Sequence, residues 1–460
     1  MIFLGAEALS PYHASALNDL KSPETATACS RKLTGSSFLA NQEGVPMADQ
    51  PFSVYYALDG PDLDGLVGSA GVLRFDWPER KFYIQHFDGI SSGHNPSLAP
   101  NGKLALLGNF SQTILLLDIE NANNIREVAR QSTMYFEECS YRMRSNTHHL
   151  WYPDSASFIG AVGDHLYHFR VDDLKNPTNL GPHYLENAHE LRWDSTHRYI
   201  LMGDLGPEKK DVRQVGVFDL QEPDPKKRSR KIWVQNNVWH CRVHPEKPVG
   251  YALTYSLITD HEDWVNWSPG YVREYIYEID LPTAKITRTW SSAAEFPGHL
   301  NSDVEIYDNT MYVASGGSHG VLEIPLERFA EFRFLECIPR FTTRLFSLND
   351  QLHTLLGAMS RKATASSTHY MLQTLQITGW RILDGIYATR VSPDGKYIVV
   401  GNRGYNTIAV YDRKTYRKVY EKLLPFRKKV TGRGGYNHYQ LTNSFFGYHL
   451  GVHHSELIAR

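Results

Sequence analysis

The sequence lacks any apolar run long enough to cross a membrane, and its N-terminus, MIFLGAEALSPYHASALNDL, lacks the basic start and apolar core of a signal peptide. It also lacks an excess of charge of either sign, because 48 Lys and Arg nearly balance 50 Asp and Glu. A balanced chain has no bulk attraction for nucleic acid or for a membrane surface. These absences predict a cytoplasmic protein that has neither nucleic acid nor a membrane as a partner.

Cysteine is scarce, and the familiar catalytic motifs are missing. The four cysteines, Cys29, Cys139, Cys241 and Cys337, lie far apart and form no C-x-x-C pair, so neither a disulfide framework nor a zinc knuckle is indicated. The chain contains no G-x-S-x-G elbow, P-loop, Rossmann fingerprint or H-E-x-x-H. The sequence therefore gives no support to a serine hydrolase, a nucleotide-binding enzyme or a zinc protease.

What the chain does contain is an internal repeat. HNPSLAPNGKLALLGN (94–109), HELRWDSTHRYILMGD (189–204) and YATRVSPDGKYIVVGN (387–402) align without gaps. Each consists of an alternating apolar strand, a polar turn, a second apolar strand and a stop at Gly-Asn or Gly-Asp, which is the pattern of a β-hairpin. Weaker copies in the same register bring the count to eight, and they begin at residues 149, 240, 301, 342 and 438.

Most hairpins are followed by a third strand, a turn and a fourth, polar strand, as in TIAVYDRKTYRKVYEK (407–422). Four strands per repeat, with repeats roughly 40 to 60 residues apart, are typical of β-propeller blades. We therefore predict an all-β fold with a single β-propeller of eight blades, seven being the runner-up. The outer strands at 69–87 would join the last hairpin, so that N- and C-terminal strands close the ring. Residues 1–65 are predicted to form an arm or cap, and 66–460 the propeller.

The repeat carries a family resemblance. SPDGKYIVVGN (392–402), followed by TIAVYDRKTYRKVYE (407–421), resembles the YVTN and lactonase-like class of β-propellers. The resemblance covers residues 94–460 as architecture and implies the propeller fold. That class has many functions, so the resemblance implies no particular reaction.

The first position of the hairpin is rich in histidine. Five of the eight repeats begin with it, and the other three begin with Asn301, Thr342 and Tyr387; the five are His94, His149, His189, His240 and His438. This position precedes the innermost strand of each blade, so side chains from different blades are expected to face the central channel at one depth. One half of the channel is therefore predicted to be lined by imidazole.

Imidazole is the side chain that most often binds metal ions, and several imidazoles that converge on one point suit Fe, Mn, Zn or Cu. His299, two residues before Asn301, lies on the same side of an extended strand. We predict one divalent transition metal ion held by His149, His189, His240 and His299, with His94 and His438 in contact with substrate.

This geometry resembles the sites of two propeller families, the carotenoid-cleaving oxygenases and the oligogalacturonate lyases, which hold metal through histidines. Two other interpretations stay open. Polar residues at this position can bond to neighbouring blades and channel water without binding anything, or the histidines can form a catalytic cluster without metal.

Other residues near the predicted channel could take part in the chemistry. Glu190 could orient an imidazole or act as a base. Arg192, Arg242 and Arg390 could hold a substrate carboxylate, or else form salt bridges between blades. Tyr255 and Tyr387 could act as acids or hydrogen-bond donors, although tyrosine is also common in strands.

Two classes of function follow. The first is a metal-dependent enzyme that acts on a small-molecule or oligosaccharide substrate, and the inward arginines favour a polar, carboxylate-bearing substrate and a lyase over an oxygenase. The second is a non-catalytic binding or scaffold propeller that recognises a protein partner. The two differ in whether the protein carries stoichiometric metal.

Overall fold

The computed structural model describes most of the chain from residue 49 onwards. The described ranges are 49–58, 70–90, 93–109, 113–133, 147–186, 188–204, 214–235, 237–255, 257–258, 268–269, 274–291, 301–316, 320–329, 331–337, 386–403, 406–425, 443–444, 447–448 and 452–460. The chain divides into the units Met1–Ala48 and Asp49–Arg460, and the described residues all belong to the second. No described helix is long and apolar enough to cross a membrane.

The described residues form seven four-stranded antiparallel sheets and two short hairpins. The strands are β1 (Phe52–Leu58), β2 (Gly71–Trp77), β3 (Lys81–His86), β4 (Gly93–Leu98), β5 (Leu104–Asn109), β6 (Thr113–Asp118), β7 (Arg126–Ser132), β8 (His149–Trp151), β9 (Ser157–Val162), β10 (His165–Arg170), β11 (Asp173–Pro182), β12 (Ala188–Trp193), β13 (Tyr199–Asp204), β14 (Gln214–Asp219), β15 (Ser229–Trp233), β16 (Asn237–Val243), β17 (Val249–Tyr255), β18 (Leu257–Ile258), β19 (Ser268–Pro269), β20 (Tyr275–Asp280), β21 (Lys285–Ser291), β22 (Asn301–Tyr307), β23 (Thr310–Ser315), β24 (Gly320–Pro325), β25 (Arg333–Glu336), β26 (Ile386–Val391), β27 (Tyr397–Asn402), β28 (Thr407–Asp412), β29 (Lys418–Leu423), β30 (Asn443–Ser444), β31 (Gly447–Tyr448) and β32 (Val452–Ala459). Two turns of 3-10 helix, Ala122–Asn124 and Pro225–Lys227, precede β7 and β15.

We number the four-stranded sheets as blades 1 to 7. Blade 1 contains β32, β1, β2 and β3, and blades 2, 3 and 4 each contain the next four strands in order. Blade 5 contains β16, β17, β20 and β21, and blades 6 and 7 contain β22–β25 and β26–β29. The first strands of the blades contact one another in the order β32, β4, β8, β12, β16, β22 and β26, and β26 returns to β32. This closed order is that of a β-propeller, as the sequence predicts.

The blade number differs from the favoured prediction. The described residues form seven blades, so the prediction of eight is wrong and the runner-up is confirmed. The prediction also counted one closing blade of N- and C-terminal strands, so the difference falls on the predicted repeat at 342–357. In the closing blade, blade 1, β1 pairs with β32 from Phe52 opposite Ala459 to Leu58 opposite Val452. The C-terminal end therefore contributes one strand to the closing blade, and the N-terminal side contributes three. The predicted repeat at 342–357 lies outside the described residues.

The closing strand β1 also changes the predicted boundary of the propeller. Its sequence, FSVYYAL, is buried along its whole length, on both faces of the sheet. β26 and β27 are buried throughout as well, but they form a hairpin with a polar turn, whereas β1 pairs with β32 from the other end of the chain. The propeller therefore includes residues 52–58, which the sequence analysis placed in the N-terminal arm.

The core consists of apolar layers between neighbouring sheets. Between blades 7 and 1, for example, Tyr56 and Phe75 pack with Val399 and Val410, and all four are fully or almost fully buried. Similar layers join the other pairs of adjacent blades. Truncation of such a large side chain to Ala typically lowers the free energy of unfolding by about 2–5 kcal/mol. These layers hold the first strands of the blades in the ring.

Candidate metal centre

The first strands share an irregularity at the end where the sequence repeat begins. Their pairing register with the second strand shifts between Gly93 and Pro96, between Ala188 and Leu191, and between Val238 and His240. Corresponding shifts occur in β22 and β26. A bulge of this kind bends the strand and re-aims a side chain. In blades 2, 4 and 5 it is the repeat histidine that lies within the shift or at its end.

Five histidines from five consecutive blades form one group, which we call the imidazole cluster; they are His94, His148, His189, His240 and His454. The ring centroid of His94 lies 4.6 Å from that of His189 and 4.7 Å from that of His454. The rings of His148 and His189 are 4.9 Å apart, and those of His240 and His454 are 4.4 Å apart. Every ring is at least 99% buried. The fold thus assembles a compact imidazole site from residues distant in sequence.

Within this cluster, His94, His148 and His189 form the first triad, whose ligand atoms all lie within 4.8 Å of one another. The Nδ1 of His189 lies 2.8 Å from the carbonyl oxygen of Trp239, and the Nδ1 of His148 lies 2.9 Å from that of His189. A carbonyl oxygen only accepts hydrogen bonds, so both Nδ1 atoms carry the proton. The Nε2 atoms of His148 and His189 are therefore left with the lone pair that a metal ion requires.

Burial keeps these imidazoles in the form that binds metal. Removal from water lowers the pKa of His189 to about 3 and holds the pKa of His148 well below its usual range. Both rings are therefore neutral near pH 7. A neutral imidazole is the protonation state that acts as a ligand.

His240, Asp303 and His454 form a second triad, with ligand atoms again within 4.8 Å of one another. His240 donates its Nδ1–H to Glu190 Oε2 at 2.7 Å, and its Nε2 has no hydrogen-bond partner in the described part of the chain. Glu190 Oε2 also accepts the backbone N–H of Cys241 at 2.7 Å. A carboxylate behind a histidine in this way fixes the ring and its tautomer, which is the usual support of a metal ligand.

The imidazole cluster adjoins a set of ion pairs that we call the charged layer. Its members come from blades 1, 4, 5, 6 and 7 and are Glu190, Arg192, Arg242, Asp303, Glu305, Arg390 and Glu456. Arg192 lies 2.7 Å from Glu190 and 3.3 Å from Glu456. Although burial alone would raise the pKa of Glu190, the nearby charge of Arg192 and the bond from His240 hold that pKa well below its usual range.

The remaining arginines of the charged layer are also paired with acids. Arg390, with a side chain only 2% exposed, lies 2.7 Å from Asp303 and 3.5 Å from Glu305. Arg242 donates to the carbonyl oxygen of Val304 at 2.6 Å and lies 3.4 Å from Glu305. Salt bridges between blades, one of the two interpretations left open by the sequence, account for all three arginines.

Metal binding fits the donor set of the first triad. His189 Nε2 and His94 Nε2 lie 2.5 Å apart, closer than the 2.7–3.2 Å typical of an N–H donor and its acceptor. Two nitrogens that share a tetrahedral ion at about 2.0–2.1 Å would lie about 3.3 Å apart. A small outward movement of the rings would therefore admit an ion, and it would relieve a contact between two nitrogens that both point at the same spot.

Not every predicted site residue joins the cluster. His189 and His240 do, and His94, which we expected at the substrate, lies in the first triad. His149 does not: its ring packs 5.7 Å from that of Phe158, and neither of its nitrogens has a hydrogen-bond partner in the described chain. His299 and His438 lie outside the described residues, as does the side chain of Tyr255.

Sequence reasoning missed His148, Asp303 and His454. The signal for the two histidines was present, because each belongs to an adjacent pair, 148–149 and 453–454. Neighbouring residues of a strand face opposite sides, so one member of a pair can reach the channel when the other cannot. The hairpin register pointed to His149, and the fold turns His148 toward the cluster instead.

Aromatic side chains flank the imidazoles. The Trp239 ring lies 4.8 Å from that of His189, and the Tyr387 ring lies 5.3 Å from that of His454. Both are at least 98% buried, and the Arg403 guanidinium lies over the Tyr387 ring at 4.9 Å. Tyr387, a predicted acid or donor, therefore lies beside the second triad.

A separate cavity of about 410 Å³ lies at the far ends of the first strands of blades 1 to 4. It is bordered by Trp151, Trp193, Arg192 and Glu456. Its described lining includes members of the charged layer but none of the imidazole cluster. The cavity is therefore bordered by the charged layer, through Arg192 and Glu456.

Comparison with known proteins shows the fold. No family model matches the chain, and no curated protein matches it. A candidate 6-phosphogluconolactonase from Bacteroides fragilis is similar in structure, with a TM-score of 0.50 and 10% identity over 90% of this chain and 100% of that chain. A second, from Bacteroides uniformis, has a TM-score of 0.50 and 10% identity over 82% and 97%. At this identity the similarity shows the β-propeller fold alone and assigns no reaction.

Proposed function

We propose that this protein is a metal-dependent β-propeller enzyme whose transition metal ion is held by His94, His148 and His189. The observation that carries the proposal is the first triad itself, three buried ligand nitrogens within 4.8 Å of one another. Two of them have the opposite ring nitrogen fixed by a backbone carbonyl. A merely polar lining would have no need to point several lone pairs at one place.

Three imidazoles suit Fe, Cu or Zn and leave coordination positions open, where the ion would polarise a substrate oxygen or activate dioxygen. The chain itself supplies the rest of the site. Backbone carbonyls orient two of the ligands, and the rings of Trp239 and Tyr387 exclude water from the flanks. The enclosed setting favours a small organic substrate over an oligosaccharide.

The substrate class depends on the arginines. A carboxylate-bearing substrate, and with it the preference for a lyase, was inferred from Arg192, Arg242 and Arg390. Each of these has an acidic partner within 3.5 Å, so a substrate carboxylate would have to displace an acid of the protein. We therefore propose a polar small molecule that need not be anionic. Lyase and oxygenase reactions differ in their need for dioxygen, so oxygen uptake by the metal-loaded protein separates them.

The test is a metal count on purified protein and matched variants. We expect stoichiometric Fe, Mn, Zn or Cu in the unmodified protein, and at least one ion fewer per chain in His94→Ala and in His189→Ala. His168→Ala is the matched control, because His168 is a partly exposed histidine on β10, the third strand of blade 3, and belongs to neither triad. Metal at trace level in the unmodified protein, after reconstitution with each ion, would contradict the proposal and favour the scaffold alternative.

A cytoplasmic location, and the absence of nucleic acid and membrane partners, remain predictions from composition. The described chain adds only that it has no membrane-spanning helix.

A further inference from the structure

We propose that the second triad, His240, Asp303 and His454, binds a second metal ion, and that the two ions form a dinuclear centre. This inference rests on the proposed function, since it adds an ion beside the one held by the first triad. It concerns a separate set of ligands, because no described residue belongs to both triads.

The spacing of the rings places the two triads side by side. His454 of the second triad lies 4.7 Å from His94 and 5.7 Å from His148, measured between ring centroids. His240 lies 6.1 Å from His189. Two-metal sites hold their ions about 3.5–4 Å apart, and triads that touch in this way permit such a separation.

Two ligands of the second triad, His240 and Asp303, are oriented by hydrogen bonds to neighbouring groups. His240 is fixed by its 2.7 Å bond to Glu190, and the Cys241 backbone N–H anchors the same carboxylate oxygen. Asp303 is fixed by Arg390 at 2.7 Å and by the Thr389 backbone N–H at 3.2 Å. Each carboxylate oxygen has a second lone pair, so these bonds leave Asp303 able to bind an ion.

The second triad also contains a buried ligand atom that is not satisfied, the Nε2 of His240. This nitrogen is buried and has no hydrogen-bond partner in the described part of the chain, and the ring of His454 lies 4.4 Å from the His240 ring. A buried polar atom without a partner costs free energy, commonly about 1–3 kcal/mol. A metal ion at this nitrogen would satisfy it.

The two triads differ in their chemistry, and this difference predicts which ions they prefer. Two histidines and one carboxylate are the ligand set of non-haem Fe(II) sites, and the carboxylate oxygen also suits Mn(II). The first triad offers only nitrogen. We therefore expect the second triad to hold Fe(II) or Mn(II) more tightly than the first triad does.

Mn(II) is the probe for the second ion, because it is paramagnetic and the number of ions bound per chain can be measured. The full-length protein is freed of metal, titrated anaerobically with MnCl₂, and examined by elemental analysis and by electron paramagnetic resonance. We expect two ions per chain, with a spectrum broadened by coupling between them. His454→Gln, and separately His94→Gln, should each bind one ion and show the six-line spectrum of an isolated Mn(II). His168→Ala should bind two.

The remaining outcomes overturn the inference. One ion in the unmodified protein, lost in both variants, would show a single centre and would leave the proposed function standing. Two ions in His454→Gln would place the second ion elsewhere. No ion in the unmodified protein, with Mn(II) and after reconstitution with Fe, Zn or Cu, would contradict the proposed function as well. If His454→Gln fails to fold, as judged by circular dichroism, His240→Gln takes its place, and the count on the unmodified protein stands in either case.

Discussion

The imidazole cluster and the charged layer are neighbours in one channel, yet their polar atoms are used differently. In the charged layer each arginine has an acid within 3.5 Å, so every cation is paired inside the protein. In the imidazole cluster, the Nε2 atoms of His94 and His189 lie 2.5 Å apart, and His240 Nε2 has no partner in the described chain. The comparison teaches that inward position alone does not mark a binding site. The capacity to bind a metal ion lies where several ligand atoms converge on one place.

The largest effect is expected from breaking the charged layer. Arg390→Met removes the cation and leaves Asp303 buried without its ion-pair partner, with backbone donors alone as its hydrogen-bond partners. Loss of one partner of a buried pair typically lowers the free energy of unfolding by about 3–5 kcal/mol. Equilibrium denaturation would measure this loss. The double variant Arg390→Met with Asp303→Leu is the matched control, and it should recover most of the stability. Equal losses in the single and double variants would contradict the ion-pair account.

The next effect concerns Glu190, which belongs to the charged layer and supports the imidazole cluster. Glu190→Gln weakens the acceptor that fixes His240, and changes to such supporting groups typically lower metal affinity about 10–100-fold. A competition titration against a chelator measures the change. The matched variant Glu305→Gln alters an acid of the charged layer that bonds to no cluster histidine, and its affinity should stay unchanged. Equal metal affinity in Glu190→Gln and the unmodified protein would show that the charged layer does not support metal binding by the imidazole cluster.

The smallest effect, taken over one unit of pH, is the dependence of stability on pH. Burial lowers the pKa of His149 to about 3, whereas an unfolded histidine titrates near 6.5. Between these values the unfolded state binds the proton and the folded state does not. The stability of the metal-free protein is therefore fully present above pH 6.5 and falls as the pH drops toward 3, by about 1.4 kcal/mol per pH unit for each such histidine.

Urea denaturation of the metal-free protein at several pH values tests this dependence. His149→Leu should reduce the change in unfolding free energy per pH unit by the contribution of one proton. Its effect should be confined to this one group, because His149 packs beside Phe158 and lies outside the imidazole cluster. His168→Ala should change the slope less, since that histidine is more accessible. A slope unchanged in His149→Leu would show that the ring is protonated or hydrated in the folded state.

The propeller could be predicted from the sequence because the hairpins of most blades join two apolar strands through a polar turn, which leaves a visible repeat. The number of blades could not, because the hairpin pattern at 342–357 counts as a further repeat, whereas the described residues form seven blades. The histidine half of the channel was also visible at His94, His189 and His240. The choice between His148 and His149 was not, because it depends on how β8 meets β9, a matter of strand pairing. Asp303 could not be predicted from the histidine pattern, because only the folded structure brings it close to His240 and His454.

The most direct test of the account is anomalous X-ray diffraction from a crystal of the metal-loaded protein. The account predicts a peak between the Nε2 atoms of His94, His148 and His189, with each nitrogen about 2.0–2.2 Å from the ion. A structure in which the rings of His94 and His189 stay in direct contact, with the metal bound elsewhere or not at all, would contradict it.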